Sequence, residues 1–182
     1  DREREIMNSS EYQNLVSHRI SRGYPENIKP EYTILTHSKI DIINFAIETD
    51  INPTEYYMWI DFGYFISPQT NILSNTSIIN FDIVNKDVIN FCCINKIDEC
   101  DRDILYTLQI APEKIGAGVF MGNKEKLKEF QELCHKHLEI FQDLNIADDE
   151  QHLWLRCYFD KPELFKKHDT GQWRGALTTF LK

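Results

Sequence analysis

Asp61 is the residue whose position in the sequence most strongly suggests chemistry. It follows an aromatic and aliphatic run at 56–60 and precedes Phe62 and Gly63. Such a run is typical of a buried strand, and open α/β proteins bind ligands beyond the carboxyl ends of their strands. Asp61 is therefore a candidate ligand for a metal ion or a ribose, although an ordinary turn aspartate before a glycine gives the same pattern.

Three consecutive acids, Asp148, Asp149 and Glu150, form a second candidate site. They lie at the predicted start of a helix, where the helix dipole stabilises negative charge, so capping explains them without catalysis. One of them could instead be a general base, because neighbouring carboxylates raise the pKa of an acid. The sequence leaves both interpretations open.

Gly116, Gly118 and Gly122 punctuate an apolar segment and could let a substrate approach the backbone closely. Neither G-x-G-x-x-G nor G-x-x-x-x-G-K-[ST] is present, so the known phosphate-binding loops do not fit. A tight turn explains the same glycines.

The remaining candidates are a histidine, a tryptophan and two cations. His168 lies close to Trp173 and Arg174, a combination that can ligate a metal, stack on a ring and neutralise a phosphate. Lys39 precedes the Asp61 strand and could reach a diphosphate. Solvated side chains are the alternative for His168 and Lys39.

The elements that must position these residues follow from periodicity and from Gly and Pro punctuation. We predict one or two helices before residue 22, a helix over 31–49, the strand at 56–61, a short helix over 101–110 and a strand over 115–121. Residues 78–83 and 88–93 suggest two strands of a hairpin. The tail from 168 to 175 has no regular period.

Two long helices have explicit start signals. Asn123 is the predicted cap of an amphipathic helix with apolar residues at spacings of three and four. Asp148, with Gln151 three places on, predicts the start of another. Strands and helices together predict one α/β domain over 1–182, with a mixed sheet flanked by helices.

Composition excludes some partners. The 182 residues carry a net charge of −9, which would repel nucleic acid and anionic membranes, whereas a small phosphorylated ligand stays possible. Five cysteines without C-x-x-C spacing favour a reducing compartment, and we expect a cytoplasmic protein. No integral membrane segment is predicted. The chain does not begin with Met, which suggests a fragment.

Taken in order, the segments of this chain resemble the HtrL/YibB family, which is regarded as a family of glycosyltransferases with a GT-A-type fold. The matching stretches cover nearly the whole chain: 4–9, 31–32, 37–39, 59–64, 116–122, 148–151 and Trp173. The Trp-Ile-Asp-Phe-Gly segment is fairly specific. Family members carry N-terminal strand-helix units that are absent here, which implies that part of the donor site is missing from this chain.

The resemblance implies a nucleotide-sugar donor, a saccharide acceptor and a divalent metal, Mn²⁺ or Mg²⁺, that bridges the donor diphosphate. Asp61 and His168 would hold the metal, although Gly63 stands where GT-A enzymes have a second acid. The segment 148–151 would bind the acceptor or supply the catalytic base, which would be Asp149, with Asp148 and Glu150 beside it. The donor would contact Lys39, Asp61, Gly63, Gly116, Gly118, Trp173 and Arg174.

Two other functions compete with glycosyl transfer. A noncatalytic nucleotide- or saccharide-binding module would keep the scaffold without the chemistry, and a structural interaction protein would bind neither ligand. The oligomeric state, the sugar, the nucleotide and the acceptor stay open, because no short motif determines them.

Overall fold

The computed structural model describes residues 2–20, 25, 28–49, 53–65, 78–173 and 175–182. In chain order its helices are α1 (Arg2–Met7), α2 (Ser10–Val16), α3 (Pro30–His37), α4 (Lys39–Glu48), α5 (Ile104–Ile110), α6 (Lys124–Asp143), α7 (Glu150–Asp160) and α8 (Gly175–Phe180). The strands are β1 (Tyr56–Ile60), β2 (Ile89–Cys93), β3 (Ile115–Asn123) and β4 (Phe165–Asp169). Single 3₁₀ turns follow β1 at Phe62–Phe65, precede α5 at Glu99–Arg102 and precede β4 at Pro162–Leu164.

The strands form a mixed four-stranded sheet in the order β1-β3-β2-β4. β3 runs antiparallel to both β1 and β2, and β2 runs parallel to β4. The carboxyl ends of β1, β2 and β4 therefore meet the amino end of β3 at one edge of the sheet. The predicted mixed α/β architecture is confirmed.

The two faces of the sheet are covered unequally. The larger core packs α6 and α7 against one face and includes Phe120, Phe130 and Trp154 in edge-to-face contact. A smaller core on the other face packs Leu177 and Phe180 of α8 against β3. Burial of apolar side chains on both faces stabilises the sheet and fixes the position of its strand ends.

The α6 helix begins as its sequence predicts. The side chain of Asn123 accepts a hydrogen bond from the backbone N–H of Lys126, which satisfies one of the free donors of the first turn. Leu127, Phe130 and Cys134 are buried on one face of the helix. The amphipathic helix predicted after Asn123 is confirmed.

The single helix predicted over 31–49 is wrong, because the chain forms two helices that meet at Ser38. The single hydroxyl hydrogen of Ser38 is shared between the carbonyl oxygens of Ile34 and Leu35 in the last turn of α3. Lys39 thereby becomes the first residue of α4 and is buried rather than solvated.

The hairpin predicted between 78–83 and 88–93 is also wrong. Only the second segment is a strand, and Ile79 instead forms an isolated bridge with Leu181 near the chain end. Ile79, Ile83 and Val84 pack in the smaller core with α8, whereas Ile78 and Phe81 are exposed, so only part of the apolar pattern of this segment reflects burial against a helix.

Regular structure overlaps both ends of the tail over 168–175, which was predicted to have no regular period, because β4 ends at Asp169 and α8 begins at Gly175. Phe165–Asp169 is the edge strand β4, paired in parallel with β2. Its lysines, Lys166 and Lys167, are exposed, as is common on edge strands, and they hide the strand pattern.

Among the described residues, no helix combines the length and the apolar character that a membrane span requires.

Candidate functional site

Lys39, Asp61 and Glu150 meet at the carboxyl edge of the sheet. Lys39 Nζ lies 2.9 Å from Asp61 Oδ2 and 2.6 Å from Glu150 Oε1. It also donates to the carbonyl oxygen of Ala117 at 3.4 Å. Three parts of the chain, the start of α4, the end of β1 and the first turn of α7, thus deliver one cation and two carboxylates to a single point.

Asp61 is fixed from both sides. The indole Nε1 of Trp59 donates to Asp61 Oδ1 at 2.6 Å, and Lys39 holds the other carboxylate oxygen. The backbone N–H of Asp61 donates to the carbonyl of Gly118, which extends the pairing of β1 with β3 by one residue. Asp61 is the most accessible member of the trio, with 35% of its side chain exposed.

Lys39 stays charged despite its burial. Burial alone pushes the pKa of Lys39 down, but the charges of Glu150 and Asp61 outweigh it, so its net pKa is raised. The ammonium group is therefore a permanent positive charge beside two carboxylates.

A second ionic group lies next to the first, around Asp148. Asp148 Oδ1 accepts from Arg19 Nη2 at 2.9 Å and Oδ2 lies 2.7 Å from His152 Nδ1. All three side chains are almost fully buried. Burial pushes the pKa of His152 down, but Asp148 and Asp149 outweigh it and raise that pKa to about 9, so the imidazole is protonated at neutral pH.

Asp149 is the helix cap of α7, one residue later than the sequence predicts. Its Oδ1 accepts from the backbone N–H groups of Gln151 and His152, and its Oδ2 accepts from the side-chain amide of Gln151. Burial, together with the negative charges of Asp148 and Glu150, raises the pKa of Asp149 to about 7, although His152 opposes the shift. Asp149 can therefore gain or lose a proton near neutral pH.

The carboxylates and imidazole of Asp148, Asp149 and His152 offer ligand atoms that all lie within 4.8 Å of one another. This spacing suits a metal ion. However, both oxygens of Asp148 are already bonded to cationic groups, Arg19 and His152, which an ion would have to displace. The contacts therefore fit a group of three paired charges, Arg19, Asp148 and His152, better than a metal centre. We call this group the ion triad.

Two cavities open beside these groups and share a wall of Tyr32, Gln151 and Trp173. The Lys39 cavity, of about 400 Å³, is lined by Lys39, Asp61, Gly63, Gly118 and Glu150 together with apolar side chains from α3, α4 and β1. The Asp149 cavity, of about 350 Å³, is lined by Arg19, Glu113, Asp149 and His152. We call the two together the carboxyl-edge cleft.

Most of the site residues predicted from the sequence line this cleft or touch its wall. Gly63, Gly118 and Trp173 line it, and the indole of Trp173 donates to Glu113 at 3.2 Å. Gly116 does not line either cavity; a Cβ added there would lie 3.6 Å from the Cys92 carbonyl oxygen. Arg174 lies outside the described residues.

His168 is not brought to Asp61. The two residues belong to β4 and to the end of β1, the opposite edge strands of the sheet, so about three strand spacings of ~4.8 Å separate them. His168 Nε2 lies 3.0 Å from Asn90 Oδ1, and its ring packs edge-on against Phe180 on the smaller core. Burial lowers the pKa of His168 to about 4, so it is neutral.

Arg19 and His152 are the site residues that sequence reasoning missed. His152 had a usable signal, because it lies four residues after Asp148, the spacing at which side chains of a predicted helix meet. Arg19 had none, because it is 129 residues away from Asp148 in sequence and only the tertiary fold brings them together.

Comparison with known proteins places these features in context. A family model described as "Bacterial protein of unknown function (HtrL_YibB)" matches residues 2–182. Protein HtrL of Escherichia coli (strain K12) is 28% identical over 159 residues, which cover 86% of this chain and 55% of that protein. The chain therefore spans about half the length of this relative. No solved structure matches significantly.

Proposed function

The chain belongs to the HtrL_YibB family, and from the geometry of the carboxyl-edge cleft we propose that it is a glycosyltransferase. It would move a sugar from a nucleotide-sugar donor to a hydroxyl group of a saccharide acceptor. The chain spans about half of the length of its relative, so the whole reaction is a proposal.

The observation that carries the proposal is a cleft with two compartments, one lined by Asp149 and the other by Asp61 and Glu150. A transferase must hold two substrates side by side, and the Lys39 and Asp149 cavities share a wall of Tyr32, Gln151 and Trp173. Aromatic side chains on that wall suit the apolar faces of sugar rings, and the polar amide between them suits hydroxyl groups.

Asp149 is the residue with the properties of a general base. Its pKa of about 7 lies near a working pH at which a base can both take and return a proton. In the proposed reaction Asp149 takes the acceptor hydroxyl proton, and the acceptor oxygen forms a bond to the anomeric carbon of the donor. The bond from that carbon to the diphosphate breaks, and the nucleoside diphosphate leaves with the electron pair.

A GT-A-like arrangement of the sheet is part of the proposal. It is supported by the acid that follows β1 at the carboxyl edge and by β3, whose Gly118 lies beside that acid. Gly118, which lines the Lys39 cavity, would allow the donor sugar to approach the backbone.

The residues expected to hold a divalent metal do not fit one. Asp61 has both carboxylate oxygens bonded to donors, and His168 lies on the far edge strand with Asn90 as its partner. Gly63 supplies no ligand. The proposed reaction therefore contains no step that uses a metal.

A noncatalytic nucleotide- or saccharide-binding module is the second candidate. One observation favours it: the carboxylate of Asp149 already accepts three hydrogen bonds within α7, which leaves about one of its four lone-pair positions for a substrate proton. Such a module would bind in the same cleft without turnover.

The test measures the release of nucleoside diphosphate from each member of a panel of nucleotide sugars. Binding of the same compounds is measured separately, as an increase in the unfolding temperature. We expect release with one nucleotide class, a loss of at least about 100-fold in Asp149→Asn, and no loss in Asp143→Asn, an exposed acid at the end of α6. Binding without release would favour the noncatalytic module. If no nucleotide sugar binds and none releases a nucleoside diphosphate, both candidate functions are contradicted.

A further inference from the structure

Three oxygen atoms surround the Lys39 ammonium. Asp61 Oδ2, Glu150 Oε1 and the Ala117 carbonyl oxygen lie 2.9, 2.6 and 3.4 Å from Nζ. An ammonium group has three hydrogens, so each one has an acceptor. Lys39 therefore has no hydrogen left for the donor diphosphate that the sequence assigned to it.

The chemistry of these three oxygens is that of a site for a hard divalent cation. Two carboxylates and one backbone carbonyl are ligands that Mg²⁺ and Ca²⁺ take in proteins. Here the positive charge comes from the chain itself, since Lys39 Nζ occupies the point on which the oxygens converge. An ion at that point would meet a like charge at contact distance.

The burial of the group distinguishes it from an ordinary surface ion pair. The side chains of Lys39 and Glu150 are only 9% and 6% exposed, so water screens their interaction weakly. All of the charged members also line the Lys39 cavity, so the group faces the space in which a ligand would bind.

We propose that Lys39 is the built-in cation of the carboxyl-edge cleft, that the wild-type protein binds no divalent ion among these oxygens, and that removal of the ammonium converts them into a divalent-cation site. One consequence, that the nucleotide-sugar donor binds without a metal ion, rests on the proposed function. The proposal that Lys39 takes the place of a divalent ion is independent of that function.

The experiment uses Mn²⁺ alone as the probe and follows thermal unfolding in 1 mM MnCl₂ and in chelator. Lys39→Ala should gain at least about 3 °C from Mn²⁺, because an ion that binds only the folded state stabilises it. The wild type and Lys128→Ala, a matched change at an exposed lysine of α6, should change by less than about 1 °C. In the double variant Lys39→Ala/Asp61→Asn the gain should disappear.

Each outcome decides the proposal. A Lys39→Ala variant that is unfolded in chelator but recovers its circular dichroism spectrum in Mn²⁺ would support it equally. No gain in Lys39→Ala, or failure to fold with and without the ion, would overturn it, as would a Mn²⁺ response of the wild type that Asp61→Asn abolishes. These measurements contain no nucleotide sugar, so absence of transfer activity leaves them unaffected.

Discussion

His152 Nδ1 lies 2.7 Å from Asp148 Oδ2, and the two side chains are 4% and 2% exposed. A buried imidazole beside a buried carboxylate stabilises the folded protein when the imidazole is positively charged, because its charge then balances that of the carboxylate. Arg19 completes the group on the other oxygen of Asp148. The ion triad makes folding depend on pH.

We expect the free energy of unfolding to fall as the pH rises from about 6.5 to about 9. The pKa of His152 is raised from 6.5 to about 9, so its contribution is fully present below the lower value and is lost through the higher one. The loss is on the order of 3 kcal/mol. Urea unfolding at several pH values measures it.

The control separates His152 from other groups that titrate in that range. His152→Gln should flatten the dependence, whereas His18→Gln, a change at an exposed histidine, should leave the wild-type slope. An equal slope in the wild type and His152→Gln would rule out the triad as its source.

Removal of Arg19 should destabilise the fold strongly. The Arg19–Asp148 pair is 0% and 2% exposed, and loss of one partner leaves the other charge buried, at a cost of about 3–5 kcal/mol. Arg4→Leu removes an arginine from the exposed pair with Glu31 and should cost less than about 1 kcal/mol. Denaturant unfolding of Arg19→Leu and Arg4→Leu compares them, and similar losses in the two variants would contradict this account.

Local sequence signals were sufficient for some elements of the fold. The α6 helix was predictable because its cap, Asn123, and its buried face are both encoded within the segment itself. The β1 strand was predictable from its continuous run of aromatic and aliphatic residues, although all five are half-buried rather than buried.

Other elements depend on distant partners. β4 forms because β2 offers a parallel edge, and Ile79 pairs with Leu181 rather than with its neighbour in sequence. The site divides in the same way: Asp148 and Asp149 were visible as a cluster of acids, whereas Arg19 acquires its role only through a contact across the chain. Sequence periodicity carries no information about such contacts.

Cysteine reactivity provides a further prediction. Burial raises the pKa of both Cys92 and Cys93 to about 12, and Cys134 and Cys157 are buried as well, whereas Cys100 is exposed. Because the thiolate is the reactive form, only Cys100 should react rapidly with a disulfide reagent at pH 8.

Counting the thiols tests this expectation. The native protein should release about one equivalent of the reporter thiol, and the denatured protein should release one for each of its five cysteines. Cys100→Ser should abolish the fast reaction in the native state. Two or more fast thiols in the native protein would contradict the burial of the others.

Two glycines should respond differently to an added methyl group. A Cβ at Gly122 would lie 2.6 Å from Ile89 Cδ1 in the core, whereas a Cβ at Gly63 would have no atom within 4 Å. Gly122→Ala should therefore cost about 1–2 kcal/mol, and Gly63→Ala should stay within about 0.5 kcal/mol of the wild type. Chemical denaturation of both variants measures the difference, and an equal cost would show that Ile89 moves aside freely.

The last prediction concerns the pH dependence of the proposed transfer. A base with the pKa of Asp149, about 7, must lose its proton before it can accept one, so the rate should rise through pH 7 and level off above it. The charge on His152 lowers the pKa of Asp149, and His152→Gln should therefore move the rise to higher pH. Asp143→Asn should leave the profile unchanged, since that acid is exposed on α6. Rates of nucleoside diphosphate release from pH 5 to 9 measure the profile; the same midpoint in His152→Gln and the wild type would show that another group is the base.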